Sequence, residues 1–212
     1  MAYHKPYVIV GVDLAGSPHR PTGVCLLKGM HAKTRIAFTN EEILGTIREA
    51  KPDLVPMDAP LSLPPGRITI HDRSGDHLRE CDRELQRRKI RFFPITLGPM
   101  RMLTERGLAL KAQIEKMGYR TVECYPGAAQ DIWGIPRQKQ DLKGLLEGLK
   151  KLGVKELTTK MTSDELDAVS AALTGRFSLL GKGEMLGDEK GILIPRIPPR
   201  NRTVRSRIFK KK

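Results

Sequence analysis

The chain has 212 residues, 39% of them apolar, with 20 Gly and 15 Pro; 38 Lys and Arg against 24 acids give a net charge of +14. That length supports one substantial core, or a core with a smaller inserted unit, and no apolar run approaches the roughly 18 residues that span a bilayer. The start, Met1 to Pro6, has no signal-peptide character, so a cytoplasmic protein is expected, and three cysteines (Cys25, Cys81 and Cys124) without Cys-x-x-Cys spacing exclude a disulfide framework or zinc knuckle and predict small buried thiols.

The positive excess is uneven. Arg196 to Lys212 holds eight Lys and Arg and no acid, and the remainder of the chain still carries +6. A basic body with a basic tail suits a polyanionic partner. Four phosphate contacts from the tail would weaken binding about a hundredfold between about 50 and about 200 mM salt. A solubilising tail or a subunit contact is the alternative.

Val8-Ile9-Val10-Gly11-Val12-Asp13 is an uninterrupted β-branched run, expected as a central strand buried on both faces, with Asp13 at its end and Gly11 and Gly16 leaving room for a close neighbour. Gly23 to Leu27 and Arg35 to Phe38 predict two more strands in an antiparallel meander around Lys28-Gly29-Met30-His31. Thr39 or Asn40 caps a helix containing Ile43, Leu44 and Ile47, which Pro52 stops. Asp53 to Asp58 is then a strand reached through a helical crossover and therefore parallel to the first, which predicts Asp58 at the same sheet edge as Asp13.

Residues 61–98 break the alternation and are expected as an inserted lid or binding loop with a charged helix from His77 to Lys89. Within it Arg73, Arg79, Arg83, Arg87 and Arg88 offer guanidinium groups to phosphates, or else solvate a helix face. Met100 to Met117 predicts an amphipathic helix closed by Gly118, and Arg120 to Pro126 a fifth strand, whose Glu123 is expected to be exposed and ranks below the two aspartates as a ligand. Leu142 to Leu152 predicts another helix. Thr162 and Glu165 form a capping box for a last one, running to Gly175 and placing Asp164 and Asp167 on one face with Ala171 and Gly175. Gly191 to Pro195 is a short apolar segment before the tail.

Acids drawn from separate elements to one sheet edge repel one another unless a cation intervenes, and an all-oxygen set suits Mg²⁺ or Mn²⁺. Two such ions would serve phosphodiester cleavage, in keeping with a basic protein. The five histidines lie in turns or charged segments, and neither a Gly-x-Ser-x-Gly elbow nor a phosphate-loop Gly-x-x-x-x-Gly-Lys is present.

The ordered set Gly11 to Ser17, Met57 to Ser62, Arg79 to Leu85, Glu123 to Gly127 and Ser163 to Ala168 resembles an uncharacterised bacterial and archaeal family described as predicted nucleases of ribonuclease H-like fold. It also resembles the Holliday-junction resolvase branch, whose acids come from the first strand, the fourth strand and a late helix. The resemblance implies an α/β fold with a ribonuclease H-like mixed five-stranded sheet flanked by helices over residues 1–195, with 61–98 inserted and 196–212 a basic tail. It implies a divalent-metal nuclease in which Asp13, Asp58, Asp164 and Asp167 are catalytic and hold Mg²⁺ or Mn²⁺; the sequence's own pattern adds Glu123, near a strand end, as a lower-ranked metal ligand. Asp58 stands where the resolvase has Glu. DNA or RNA is the implied partner, contacted by Arg73, Arg79 and Arg83 and by Arg200, Arg202, Arg205 and Arg207 of the tail. The alternatives are a non-catalytic nucleic-acid-binding protein on the same fold and an actin-like phosphotransferase, for which the second phosphate loop is missing.

Overall fold

The structure, a computed structural model, describes residues 6–196. Seven strands form one sheet in the order β3-β2-β1-β4-β5-β7-β6. The five expected strands make up its body: β1 (Val8–Asp13), β2 (Thr22–Lys28), β3 (His31–Ala37), β4 (Val55–Asp58) and β5 (Thr121–Cys124). The antiparallel meander of β1, β2 and β3 and the parallel pairing of β4 with β1 follow the sequence reading. Two strands extend the expected five to seven: β7 (Ile192–Pro195) pairs parallel to β5, and β6 (Gly183–Leu186) closes the edge antiparallel to β7.

Helices cover both faces, which is why β1 tolerates an unbroken apolar run. On one face α1 (Asn40–Ala50) and α3 (Gly98–Lys116) place Ile43, Leu44, Ile47, Leu110 and Ile114 against Val10 and Val12. On the other, α5 (Leu142–Lys151) and α6 (Ser163–Leu179) pack Leu145, Leu149, Leu166 and Val169 against Ile9, Cys25 and Leu27. A smaller cluster joins α2 (Glu80–Arg87) and α4 (Pro126–Trp133) to β6 and β7 through Cys81, Leu85, Ala128, Ile132, Leu186 and Ile192. All three cysteines are free and buried. Among the described residues no helix is long and apolar enough to cross a membrane.

Local chemistry sets the helix ends as the sequence implies. The Thr39 hydroxyl accepts from the Glu42 amide, whose carboxylate takes the Thr39 N–H in return, and Thr162 with Glu165 repeats the arrangement at the start of α6. The inserted segment holds less helix than expected, eight residues in α2. Beyond Arg196 the basic tail, with Arg200, Arg202, Arg205 and Arg207, lies outside the described residues.

α6 lies unusually close to the sheet because the strands beneath it present glycine. A Cβ on Gly11 would stand 2.3 Å from the carbonyl oxygen of Ala168, and one on Gly23 only 1.9 Å from that of Asp164. Gly175 returns the favour from the helix, where a Cβ would meet Pro56 at 2.7 Å.

Gly23→Ala therefore forces helix and sheet apart and is expected to destabilise the fold by about 1–3 kcal/mol in urea unfolding. Gly45→Ala is the opposing control. Gly45 lies inside α1 with nothing within 4 Å of its missing Cβ, so relief of backbone entropy is expected to stabilise by about 0.5–1 kcal/mol.

Candidate metal centre and cleft

Asp13 and Asp58 are register partners at the carboxyl ends of neighbouring parallel strands. Equivalent positions in register point to one face of a sheet. That face is the α6 side, since Ile9 and Gly11 share Asp13's parity and Pro56 shares Asp58's, and all three contact α6. Asp13's other cross-strand partner is Gly23, under the Asp164 backbone, so the first turns of α6 come down directly beside the two strand ends. Asp167 follows one turn later, its Oδ1 accepting a 2.6 Å hydrogen bond from Gln130 Nε2, which also donates to Ser170.

The four aspartates feel one another. Burial, then Asp58, Asp167 and Asp164, raise the Asp13 pKa well above the usual carboxylate range. Burial, then Asp167 and Glu123, do the same to Asp58, against a partial offset from Arg137. Asp167 is pushed up to about 6, chiefly by burial, although the Gln130 hydrogen bond and Arg137 favour its charged form. Like charges held this way cannot all ionise without a counter-cation.

Glu123 corrects the sequence reading twice. It is 5% exposed rather than facing solvent, and both its oxygens are taken. Arg79 Nη1 and Nη2 donate to Glu123 Oε2 and Oε1 at 2.6 and 2.9 Å, and the Leu61 amide donates to Oε2 at 2.8 Å. The carboxylate is thus committed to a guanidinium and is not a fifth ligand. Arg79 is corrected with it: 5% exposed and also bonded to Asp82 and Ser62, it has nothing to offer a phosphate. Burial works against its charge, but Glu123 and Asp82 outweigh that and raise its pKa.

The remaining arginines of the insertion diverge. Arg73 is exposed. Arg83 meets Asp76, Arg87 meets Glu80 and Glu84, and Arg88 meets Glu84 and Glu184, so most of this charge is answered within the protein.

The carboxylates open into a cleft of about 860 Å³, whose floor includes Asp13, Asp58 and Asp167. Its opposite wall comes from the inserted segment, with Leu85, Ile90, Phe92 and Phe93, and its rim carries Lys89, Arg91 and Lys139. Phe93 is 70% exposed. The cleft lies outside the carboxyl ends of β1 and β4, where the strand order reverses direction, the usual ligand position in open α/β sheets.

Gln130 and Arg137 escaped the sequence reading. Both depend on α4, whose signal was Pro126 in the first turn and Gly134, at φ 71°, just past the last. Arg137 grips Asp131 at 2.6 and 3.1 Å, donates to the Tyr125 hydroxyl at 2.9 Å and lies 5.3 Å from the centre of that ring.

An all-carboxylate donor set with raised pKa values is chemically suited to a hard divalent ion. As the side chains stand, among the described residues no three His, Cys, Asp or Glu groups are gathered closely enough to enclose one.

A family model described as "Protein of unknown function (DUF429)" matches residues 11–191, and no curated protein matches the sequence. Among solved structures, "T. thermophilus RuvC in complex with Holliday junction substrate" is similar with a TM-score of 0.51 at 12% identity, over 82% of this chain and 96% of that one. "Thermus thermophilus RuvC structure" has a TM-score of 0.45 with the same identity and coverage. At such identity the first likeness speaks for the fold, α/β with a ribonuclease H-like mixed sheet.

Two outcomes follow from these electrostatics. A carboxylate whose pKa is raised on folding stabilises below its unfolded value, near 3.8, and loses that contribution as pH rises through its folded value, about 6 for Asp167 and also well above the usual carboxylate range for Asp13 and Asp58. In chelator, the melting temperature of wild type is therefore expected to rise from pH 8 to pH 5 relative to Asp13→Asn, and the variant to be the more stable at pH 8. Arg79→Met strands Glu123 and Asp82 and is expected to cost about 3–5 kcal/mol in urea unfolding, much of it recovered by adding Glu123→Gln.

Proposed function

The chain belongs to a family whose description, "Protein of unknown function (DUF429)", names no activity, and we propose from the site itself that it is a Mg²⁺- or Mn²⁺-dependent nuclease. The observation that carries this is the in-register pair Asp13 and Asp58, with α6 bringing Asp164 and Asp167 over the same strand ends. Asp13, Asp58 and Asp167 would hold the metal, with Asp164 beside them. A divalent ion bound there would neutralise the cluster and lend Lewis-acid activation to water and a phosphoryl oxygen.

The protein's own groups supply orientation and binding. Gln130 donates to Asp167 Oδ1, and Gln138 also hydrogen-bonds that carboxylate, so the two amides orient it. Phe92 and Phe93 offer stacking faces, and Lys89, Arg91 and Lys139 bring positive charge to the rim. A volume of about 860 Å³ suits one or two splayed nucleotides better than the breadth of a duplex. The body's +6 charge, exposed Arg73 and the tail's Arg200, Arg202, Arg205 and Arg207 support attraction to the backbone. The Thermus neighbour is in complex with a Holliday junction substrate, so branched duplex belongs among the substrates tried.

A second reading is a nucleic-acid-binding protein without turnover. It draws on the spacing of the acids, which as placed do not enclose an ion.

The two readings part in an assay of single-stranded, duplex and branched DNA and RNA with Mg²⁺, Mn²⁺ or chelator. Cleavage is expected with metal only, and Asp13→Asn should lower it about a hundredfold or more while leaving binding in place. Metal-independent cleavage, or equal activity in the variant, removes the nuclease reading; binding without cleavage under every condition favours the second. Phe93→Ala should weaken single-strand binding by about 1–3 kcal/mol, as measured by fluorescence anisotropy.

A further inference from the structure

Arg106, on α3, is 8% exposed, and its hydrogen-bond partners are all neutral. Its Nε donates to Asn40 Oδ1 at 2.9 Å, Nη1 to the Ala15 carbonyl at 2.7 Å and Nη2 to the Phe38 carbonyl at 2.6 Å. A guanidinium has five N–H groups, so two remain, one on each terminal nitrogen. Among the described residues Arg106 enters no ion pair, unlike Arg79, Arg83, Arg87, Arg88 and Arg137, each of which meets a carboxylate. Burial alone lowers its pKa, with no acid acting in the other direction. A buried charge without a counter-ion is costly, and a clasp between three elements does not require one.

Arg106 lines a second cavity of about 460 Å³, together with Asn40, Thr39, Gly16 and Pro18. Two carboxylates are near and both are spoken for. Glu105, on the cavity wall, stands 2.6 Å from His71 Nε2, and Glu42 accepts the Phe38 and Thr39 amides at 2.7 and 2.9 Å. The cavity adjoins the large cleft, because Leu14 and Leu103 line the first while Gly16 and Met102 line the second.

We propose that this second cavity is an anion subsite in which Arg106 receives a phosphate of the nucleic-acid strand adjacent to the one at the carboxylates. Its ligand rests on the nucleic-acid reading above. The site itself rests on the uncompensated guanidinium, and a free phosphate would satisfy the same chemistry.

Arg106→Ala would remove the clasp along with the charge, so Asn40→Asp carries the test. Aspartate keeps the acceptor for Arg106 Nε, neutralises the guanidinium and, at the first position of α1, favours the helix. Wild type and Asn40→Asp are compared in chelator, where nothing is hydrolysed, using inorganic phosphate by calorimetry and a single-stranded oligonucleotide by anisotropy across a salt series. The variant is expected to melt at or above the wild-type temperature, to lose the heat of phosphate binding and to bind the oligonucleotide about tenfold more weakly. Its slope of log K against log salt should be smaller by about 0.7, the share of one phosphate. Loss of phosphate binding with an unchanged oligonucleotide slope overturns the strand assignment. Unchanged binding of both probes, or no binding of either by wild type, overturns the subsite altogether. Cleavage with Mg²⁺ or Mn²⁺ is read separately, so a protein that binds through Arg106 and does not cut loses the nuclease reading and keeps this site.

Discussion

Everything at the candidate site depends on how closely α6 approaches the sheet. Helix axes normally stand off a sheet by the thickness of the side chains between them. Here the strands contribute glycines, Gly11 and Gly23, and the helix contributes Ala168, Ala172 and Gly175. Without those side chains the helix backbone drops onto the strands, and its first turns arrive beside Asp13 and Asp58. An aspartate side chain is short, so acids from a helix and from two strands come near one another only if the two backbones nearly touch. The packing of small residues and the gathering of charge are therefore one constraint.

The protein handles its buried charges in opposite ways a few ångströms apart. Glu123, the register neighbour of Met57 on β4, is neutralised by a two-pronged guanidinium and a backbone amide. One residue along β4, Asp58 has no hydrogen-bonded guanidinium and only a partial offset from Arg137; burial raises its pKa with those of Asp13 and Asp167, as it raises that of Glu123 despite Arg79. A fold able to supply Arg79 to one carboxylate has left the adjoining set unanswered. Buried acids without an ion-pair partner lower stability at neutral pH, and a cluster of them lining a cleft marks a candidate ligand site.

Much of this was legible in the sequence because it rested on short-range rules. The β-branched run of β1 and the crossover that makes β4 parallel place Asp13 and Asp58 at one sheet edge, and the capping box at Thr162 places Asp164 and Asp167 on one helix face; that this helix meets that edge was implied only by the family resemblance. What stayed hidden required long-range information. Strand alternation would put Glu123 on a solvent face, and only the docking of α2, 44 residues away in sequence, buries it with Arg79. β6 and β7 have four residues each, too few to show a period of two. α4 is eight residues long, and its Pro and Gly punctuation was readable as a turn as easily as a helix, which concealed Gln130 and Arg137.

Those hidden elements hold the wall of the cleft. α2 is tied to the sheet by Arg79 at β5 and by Arg88, which meets Glu184 of β6 at 2.5 Å. The turn after β6 comes so near that a Cβ on Gly187 would lie 2.6 Å from the Cys81 amide. The insertion is thus anchored at its helix, on the edge the sequence did not reveal, while Ile90 to Ile95 runs from that anchor along the cleft and carries Phe92 and Phe93. A half-buried pair such as Arg88 and Glu184 adds less stability, whereas the buried Arg79 cannot be withdrawn without stranding two carboxylates. Arg79, 5% exposed and itself among the residues lining the cleft, thereby fixes α2, where the aromatic wall begins, against β5. Its place beside Glu123, next to Asp58, couples the shape of the cleft to the charge state of its floor.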